Sequence, residues 1–163
     1  MYSIIPAIPH HLSDIYKTVI ELARYHGLED RIKITALQLN ELLFCDKPNH
    51  FAGLAMIDDK LSGLVLFNLT NHNVCVHVSP GFYIENLYVL PECRKQGIGK
   101  ALFRYVARKA LEHNCSRIEW WVSRNNNDAA GFYKKLGAQE LSEWTIFKCD
   151  RLAMNNLLTG VEL

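Results

Sequence analysis

The run Arg94-Lys95-Gln96-Gly97-Ile98-Gly99-Lys100-Ala101 carries the sharpest chemistry in the sequence. It joins an apolar segment that reads as a strand, Phe82 to Leu90, to a run in which Ile98, Leu102, Tyr105 and Val106 share one helical face. The first turn of a helix offers backbone N–H groups without intrahelical partners and a partial positive charge. Gly97 and Gly99 keep side chains off that surface, so a phosphate can approach the backbone closely. Arg94, Lys95 and Lys100 add positive charge around the spot. The competing reading is a glycine-containing turn with a solvated basic edge. Two other phosphate loops are excluded. A dinucleotide fingerprint needs a third glycine where Leu102 stands, and a P-loop needs Ser or Thr where Ala101 stands.

A scaffold for this loop is readable on either side of it. Tyr2 to Ile5 reads as a short strand closed by Pro6 and Pro9. Ser13 can cap a helix running to about His26, with Ile15, Val19, Leu22 and Ala23 as its apolar stripe and Gly27 as its stop. A second helix is expected after Thr35, carrying Leu37, Leu39, Leu42 and Leu43. Phe51 to Ile57 and Leu61 to Leu69 form a hairpin pattern around Asp58-Asp59-Lys60. Beyond the loop, Arg117 to Val122 reads as a strand, Asp128 to Leu136 as a helix ended by Gly137, and Leu141 to Cys149 as a last strand. Helices between strands in the second half imply an α/β domain with helices packed on a mixed sheet.

The chain has 163 residues, which fits one domain with a sizeable core, and no linker or repeat divides it. Eighteen basic residues against 17 acidic ones leave a formal charge of +1, which argues against a dedicated nucleic-acid or membrane-surface protein. No apolar run approaches a bilayer span, and Met1 to Pro6 carries no signal-peptide pattern. Five cysteines, odd in number and without a Cys-x-x-Cys spacing, read as reduced thiols and predict a cytoplasmic protein. His72-x-x-Cys75-x-His77 lacks a fourth ligand and alternates faces on a strand, so no metal is expected. His10, His11 and His50 read as solvated, and of Trp120 and Trp121 one is expected in the core and the other on a pocket wall or interface.

Arg94-x-x-Gly97-x-Gly99 after a strand resembles the acetyl-coenzyme A loop of the GNAT acetyltransferase superfamily. Asn126 and the run Gly131-Phe132-Tyr133-Lys134-Lys135-Leu136-Gly137 resemble the next motif of that superfamily. Three segments are similar to its spermidine/spermine (diamine) N-acetyltransferase branch. They are Leu22-Ala23-Arg24-Tyr25 with Leu28-Glu29-Asp30, Tyr83-Ile84-Glu85-Asn86, and Phe132-Tyr133-Lys134. The resemblance spans residues 3 to 150 and implies a mixed, mostly antiparallel central sheet flanked by helices. It also implies acetyl-coenzyme A as co-substrate, a small-molecule amine as acceptor, and a homodimer.

The resemblance assigns roles residue by residue. Arg94, Lys95 and the backbone of Gln96, Gly97, Ile98, Gly99 and Lys100 would hold the pyrophosphate. The backbone of Leu87 and Val89 would pair with the pantetheine arm, as a peptide adds to a strand edge. Asn126 would be a polar partner of the cofactor, with a turn or helix cap as its plainer role. Tyr133 would protonate the departing thiolate, a task that suits a phenol among apolar groups. Glu85 is unusual inside an apolar strand and would take the proton of the amine, directly or through water. Tyr25, His26, Glu29 and Asn86 would line the amine pocket. Polyamine acetyltransferases commonly carry acidic residues where His26 and Asn86 stand. Their loss points away from spermine and toward a smaller diamine or an amino-acid-like amine. A peptide acetyltransferase and a non-catalytic acyl-coenzyme A sensor are the alternatives.

Overall fold

The computed structural model describes residues 1–72 and 78–159, with the side chain of Glu29 left outside the description. Its elements are β1 (Tyr2–Pro6), α1 (Leu12–Tyr25), α2 (Ala36–Phe44), β2 (His50–Ile57), β3 (Lys60–Thr70), β4 (Gly81–Val89), α3 (Ile98–Glu112), β5 (Arg117–Glu119), α4 (Asn127–Lys135) and α5 (Arg151–Thr159). The chain divides into two compact units, Met1–Ser123 and Arg124–Leu163.

In the first unit five strands lie in the order β1-β2-β3-β4-β5. The first four pair antiparallel and β4 pairs with β5 in parallel through the α3 crossover, as the family resemblance implied. Both faces of the sheet are covered. One packs Val65, Phe67, Phe82 and Ile84 against Ile98, Leu102 and Val106 of α3. The other packs Leu54, Leu64 and Leu66 against Ile15 of α1 and Leu39 and Leu43 of α2. Burial on both sides explains why β3 reads as a continuous apolar run and not as an alternation.

Local chemistry accounts for most boundaries. Asp58 and Asp59 both adopt positive φ and turn the β2–β3 hairpin. Thr35 accepts from the backbone N–H of Gln38 while the Gln38 side chain accepts from Thr35 N–H, a reciprocal cap on α2. Gly27 follows α1 with φ 63°. Ser13, expected to cap α1, lies within its first turn; the chain enters from a tight turn over Pro9–His11, with His11 at the cap and no side-chain cap bond.

Three further expectations are corrected. The strand at Arg117 ends at Glu119 and not at Val122, because its pairing with β4 covers only Gly81–Tyr83. No strand covers 141–149 among the described residues. A segment of strand-like composition makes a strand only where a ladder partner takes its backbone groups. Residues Arg151–Thr159 form α5. His50 is not a solvated side chain; it is paired, as described below. Trp120 packs with the α3-side core, as expected of one of the pair, and Trp121 is exposed beside Tyr83. Cys75 and His77 lie outside the described residues, and no cluster that could hold a metal occurs among those described. Among the same residues no helix is long and apolar enough to cross a membrane.

Candidate functional site

β4 supplies an open edge. Since β5 pairs only with Gly81–Tyr83, the stretch Ile84–Val89 has no neighbouring strand on that side among the described residues. Its backbone donors and acceptors are available to an extended ligand. Leu87 and Val89, expected to use their backbone in this way, lie on that stretch. The Val89 carbonyl already accepts from Arg94 Nε at 3.1 Å.

Past Pro91–Cys93 the chain reaches the basic loop. Lys95 and Gly97 take positive φ, 61° and 84°. Left-handed residues in such a turn rotate successive N–H groups toward one concavity. Gly97 is the N-cap of α3, and the first intrahelical bond there runs from Ala101 N–H to the Gly97 carbonyl. The N–H groups of Ile98, Gly99 and Lys100 are therefore free of the helix ladder. Lys95, Gln96 and Lys100 are exposed, and Ile98 is buried and anchors the loop to the sheet. Gln96 donates to the Glu92 carbonyl at 3.4 Å. Arg94 is held back from the loop. Its guanidinium lies 4.9 Å from the Tyr25 ring centre and 5.7 Å from that of Tyr88.

Glu85 sits on a bulge: Leu66 faces Asn86 and Phe67 faces Ile84, leaving Glu85 as the extra residue of β4. A bulge re-aims a side chain out of the strand alternation. The Glu85 carboxylate is 35% exposed, and its Oε1 receives Asn68 Nδ2 and lies 3.1 Å from His50 Nε2. His50 and Asn68 are themselves register partners across β2 and β3. Glu85, Asn86 and His50 line a pocket of about 180 Å³ whose other walls are Val19 and Ile34, Leu39, Leu42 and Leu43 around α2, and Phe51, Leu66 and Phe67 of the sheet. The negative charge of Glu85, together with burial, raises the pKa of the Tyr83 phenol, burial being the larger cause.

Of the remaining predicted pocket residues, Tyr25 is exposed near the end of α1 and packs against Tyr88. His26 caps the same helix, its ring edge-on to Tyr25 at 5.2 Å. The backbone of Glu29 lies in a tight turn over Glu29–Arg31. Neither Tyr25 nor His26 lines the pocket that holds Glu85 and Asn86. His50 and Asn68 were not singled out from sequence. No motif marks them; only their register opposite the bulge does. Tyr88 also escaped notice: it is buried, and its hydroxyl donates to Glu21 Oε1 at 3.3 Å.

In the Arg124–Leu163 unit, Asn126 caps α4 by accepting from Ala129 N–H at 3.1 Å, the plainer of its two expected roles. Tyr133 lies on α4, half-buried, with Phe132 edge-on at 5.1 Å. Burial raises its pKa above the ordinary phenol value of 10.0.

Comparison with known proteins fits this arrangement. The family model for the acetyltransferase (GNAT) family matches residues 13–138. Thialysine N-epsilon-acetyltransferase of Bos taurus is 32% identical over 152 residues, covering 88% of this chain and 89% of its own. L-ornithine N5-acetyltransferase of Arabidopsis thaliana is 39% identical over 66 residues, covering 40% of this chain and 29% of its own. Among solved structures, an integron cassette protein from the mobile metagenome of V. cholerae superimposes with TM-score 0.78 at 27% identity, over 96% of this chain and 97% of that one. The chain belongs to the GNAT acetyltransferase family and is an acetyltransferase.

Proposed function

We propose that the protein transfers an acetyl group from acetyl-coenzyme A to the primary amine of a small, amino-acid-like molecule. The observation that carries this reading is the open edge of β4 at Ile84–Val89 leading into the left-handed turn at the α3 N-terminus. The edge suits an amide-bearing arm and the turn suits a pyrophosphate, so one ligand carrying both is favoured. Leu87 and Val89 would meet the arm, and the loop from Arg94 to Lys100 the phosphates. The Val89 carbonyl is shared with Arg94, which leaves its N–H as the better contact.

A primary alkyl amine has a pKa of roughly 10.4, so on the order of one molecule in a thousand is neutral at pH 7. Glu85, out of alternation on its bulge, takes the proton that must leave. The freed amine attacks the thioester carbonyl while both substrates are bound, and coenzyme A departs without an acyl-enzyme. Tyr133 returns a proton to the thiolate; its raised pKa keeps it a donor. Holding the two reactants together and polarising the carbonyl supply most of the acceleration.

The pocket supports a small acceptor. Apart from Glu85, Asn86 and His50 its walls are apolar, which suits the alkyl part of a short amine with few further charges. The named substrates of two relatives, thialysine and L-ornithine, are of this kind. We also read the chain as one acetyltransferase domain that works as a homodimer. Release of coenzyme A across a panel of lysine-like amino acids, short diamines, polyamines and peptides tests the proposal. Turnover is expected with the amino acids and short diamines, and is lost in Tyr133→Phe. Silence across the panel, with acetyl-coenzyme A bound, would overturn it.

A further inference from the structure

We infer that Tyr25 serves the acyl donor and not the amine: with Tyr88 it holds the Arg94 guanidinium against the end of the β4 edge, where a phosphate of the donor arrives. The inference rests on the reading of the Arg94–Lys100 loop as the pyrophosphate site.

The end of α1 fixes where Tyr25 stands. Gly27, at positive φ, brings its N–H to the Arg24 carbonyl at 2.9 Å and the N–H of Leu28 to the Ala23 carbonyl at 2.8 Å. This pair of bonds closes the helix and leaves Tyr25 as its last residue. Glu21 lies one turn earlier on the same face. Tyr88 of β4 meets that face. It is buried, donates to Glu21 Oε1 at 3.3 Å, and has its ring centre 6.1 Å from that of Tyr25. Burial, the larger cause, and the Glu21 carboxylate raise the Tyr88 phenol above 10.0, against the opposing effect of Arg94. The phenol therefore keeps its proton, and with it the bond that ties β4 to α1.

Arg94 completes the cluster. Its guanidinium carbon lies 4.9 Å from the Tyr25 ring centre and 5.7 Å from that of Tyr88, both within the range at which a cation is drawn to a ring face. Its Nε donates to the Val89 carbonyl at 3.1 Å. Holds from α1 and β4 thus fix an exposed side chain that would otherwise sample many rotamers. Arg94 enters no ion pair among the described residues, so its charge is not spent on a carboxylate. Val89 ends β4 and Arg94 opens the basic loop, which puts that charge where an arm lying along the edge gives way to phosphate. A guanidinium already in place spares the ligand the cost of ordering it. Tyr25 acts through Arg94 and is a positioning residue. Its absence from the walls of the pocket that holds Glu85 agrees with this role.

Titration of the full-length protein with acetyl-coenzyme A in a calorimeter tests the inference without turnover. Tyr25 is 58% exposed, so its replacement opens no core. Tyr25→Leu is expected to weaken binding about 3- to 10-fold. Tyr25→Phe keeps the ring face and should bind as the unaltered protein does. In Arg94→Gln, already weakened, Tyr25→Leu should add nothing. KM for the amine, followed in parallel, should stay unchanged in Tyr25→Leu. An equal loss in Tyr25→Phe, or a further loss of the same size in the Arg94→Gln background, would overturn the inference. Unchanged binding in Tyr25→Leu with a raised KM for the amine would overturn it alone and return Tyr25 to the amine pocket. If acetyl-coenzyme A does not bind the unaltered protein, the acetyl-transfer reading itself fails and the inference falls with it.

Discussion

Burial at Tyr133 lifts its phenol above the ordinary value of 10.0, and this fixes the sign of its pH effect. A general acid works while protonated, and a raised pKa keeps it protonated to higher pH. Tyr133 should therefore impose no fall in kcat below pH 10, and the alkaline limb it sets should lie above that value. Tyr133→Phe should lower kcat by about 10²- to 10⁴-fold with little change in KM for acetyl-coenzyme A and remove that limb. Steady-state rates from pH 7 to 11 check this; an alkaline limb that persists in the variant would assign it to another group. Glu85→Gln should also lower kcat/KM for the amine, and its deficit should narrow with rising pH. The two residues were unequally legible. Tyr133 stands in a run, Gly131 to Gly137, that resembles a family motif, whereas Glu85 stands in the shorter segment Tyr83 to Asn86 and is a charge inside an apolar strand. The bulge that explains Glu85, and the His50 and Asn68 that hold it, depend on pairing between distant strands. One-dimensional spacing does not contain that information.

Elements position these residues, and glycine decides two of the positions. At Gly97 a Cβ would find room, its nearest contact being the Tyr2 hydroxyl at 3.5 Å, but φ is +84°. Gly97→Ala should thus cost about 1–2 kcal/mol in backbone strain and raise KM for acetyl-coenzyme A. At Gly63 the backbone is unstrained and space is the limit. A Cβ would lie 3.1 Å from the Tyr88 carbonyl and 3.2 Å from Ile98 and Leu102 of α3. Gly63→Ala should lower Tm and push on the helix whose N-terminus forms the phosphate loop. Thermal unfolding with and without acetyl-coenzyme A separates the two: Gly97→Ala should lose most of the ligand-induced shift, Gly63→Ala mainly the baseline. Elements with their own punctuation were readable from sequence, including α2 with its Thr35 cap, the β2–β3 hairpin at Asp58-Asp59, and α3 after Gly97. Elements defined by a partner were not. Arg117 to Val122 has strand composition throughout, yet only the part facing Gly81–Tyr83 is a strand, and the divergence beyond it opens the edge of β4.

For the whole molecule, the Arg124–Leu163 unit poses the remaining physical question. Leu141, Trp144, Ile146 and Phe147 are exposed, Phe147 at 91%, and so are Leu152, Leu157 and Leu158 of α5. Scattered exposed apolar residues are ordinary, but a concentrated set of this size in 40 residues is characteristic of a surface meant to be covered. The segment 141–149, expected as a strand, has no ladder partner among the described residues. In the homodimer proposed above, a second copy of the chain would bury such apolar side chains. Association of this kind is isologous, so one substitution acts twice in each dimer. The unaltered chain, 18.7 kDa, should sediment as a species of twice that mass, and Phe147→Glu should shift it toward monomer. Because Phe147 is so exposed within one chain, the variant should keep the far-ultraviolet circular dichroism of the folded protein, which separates lost assembly from lost fold. A chain that sediments as a monomer with Phe147 intact would overturn the homodimer reading.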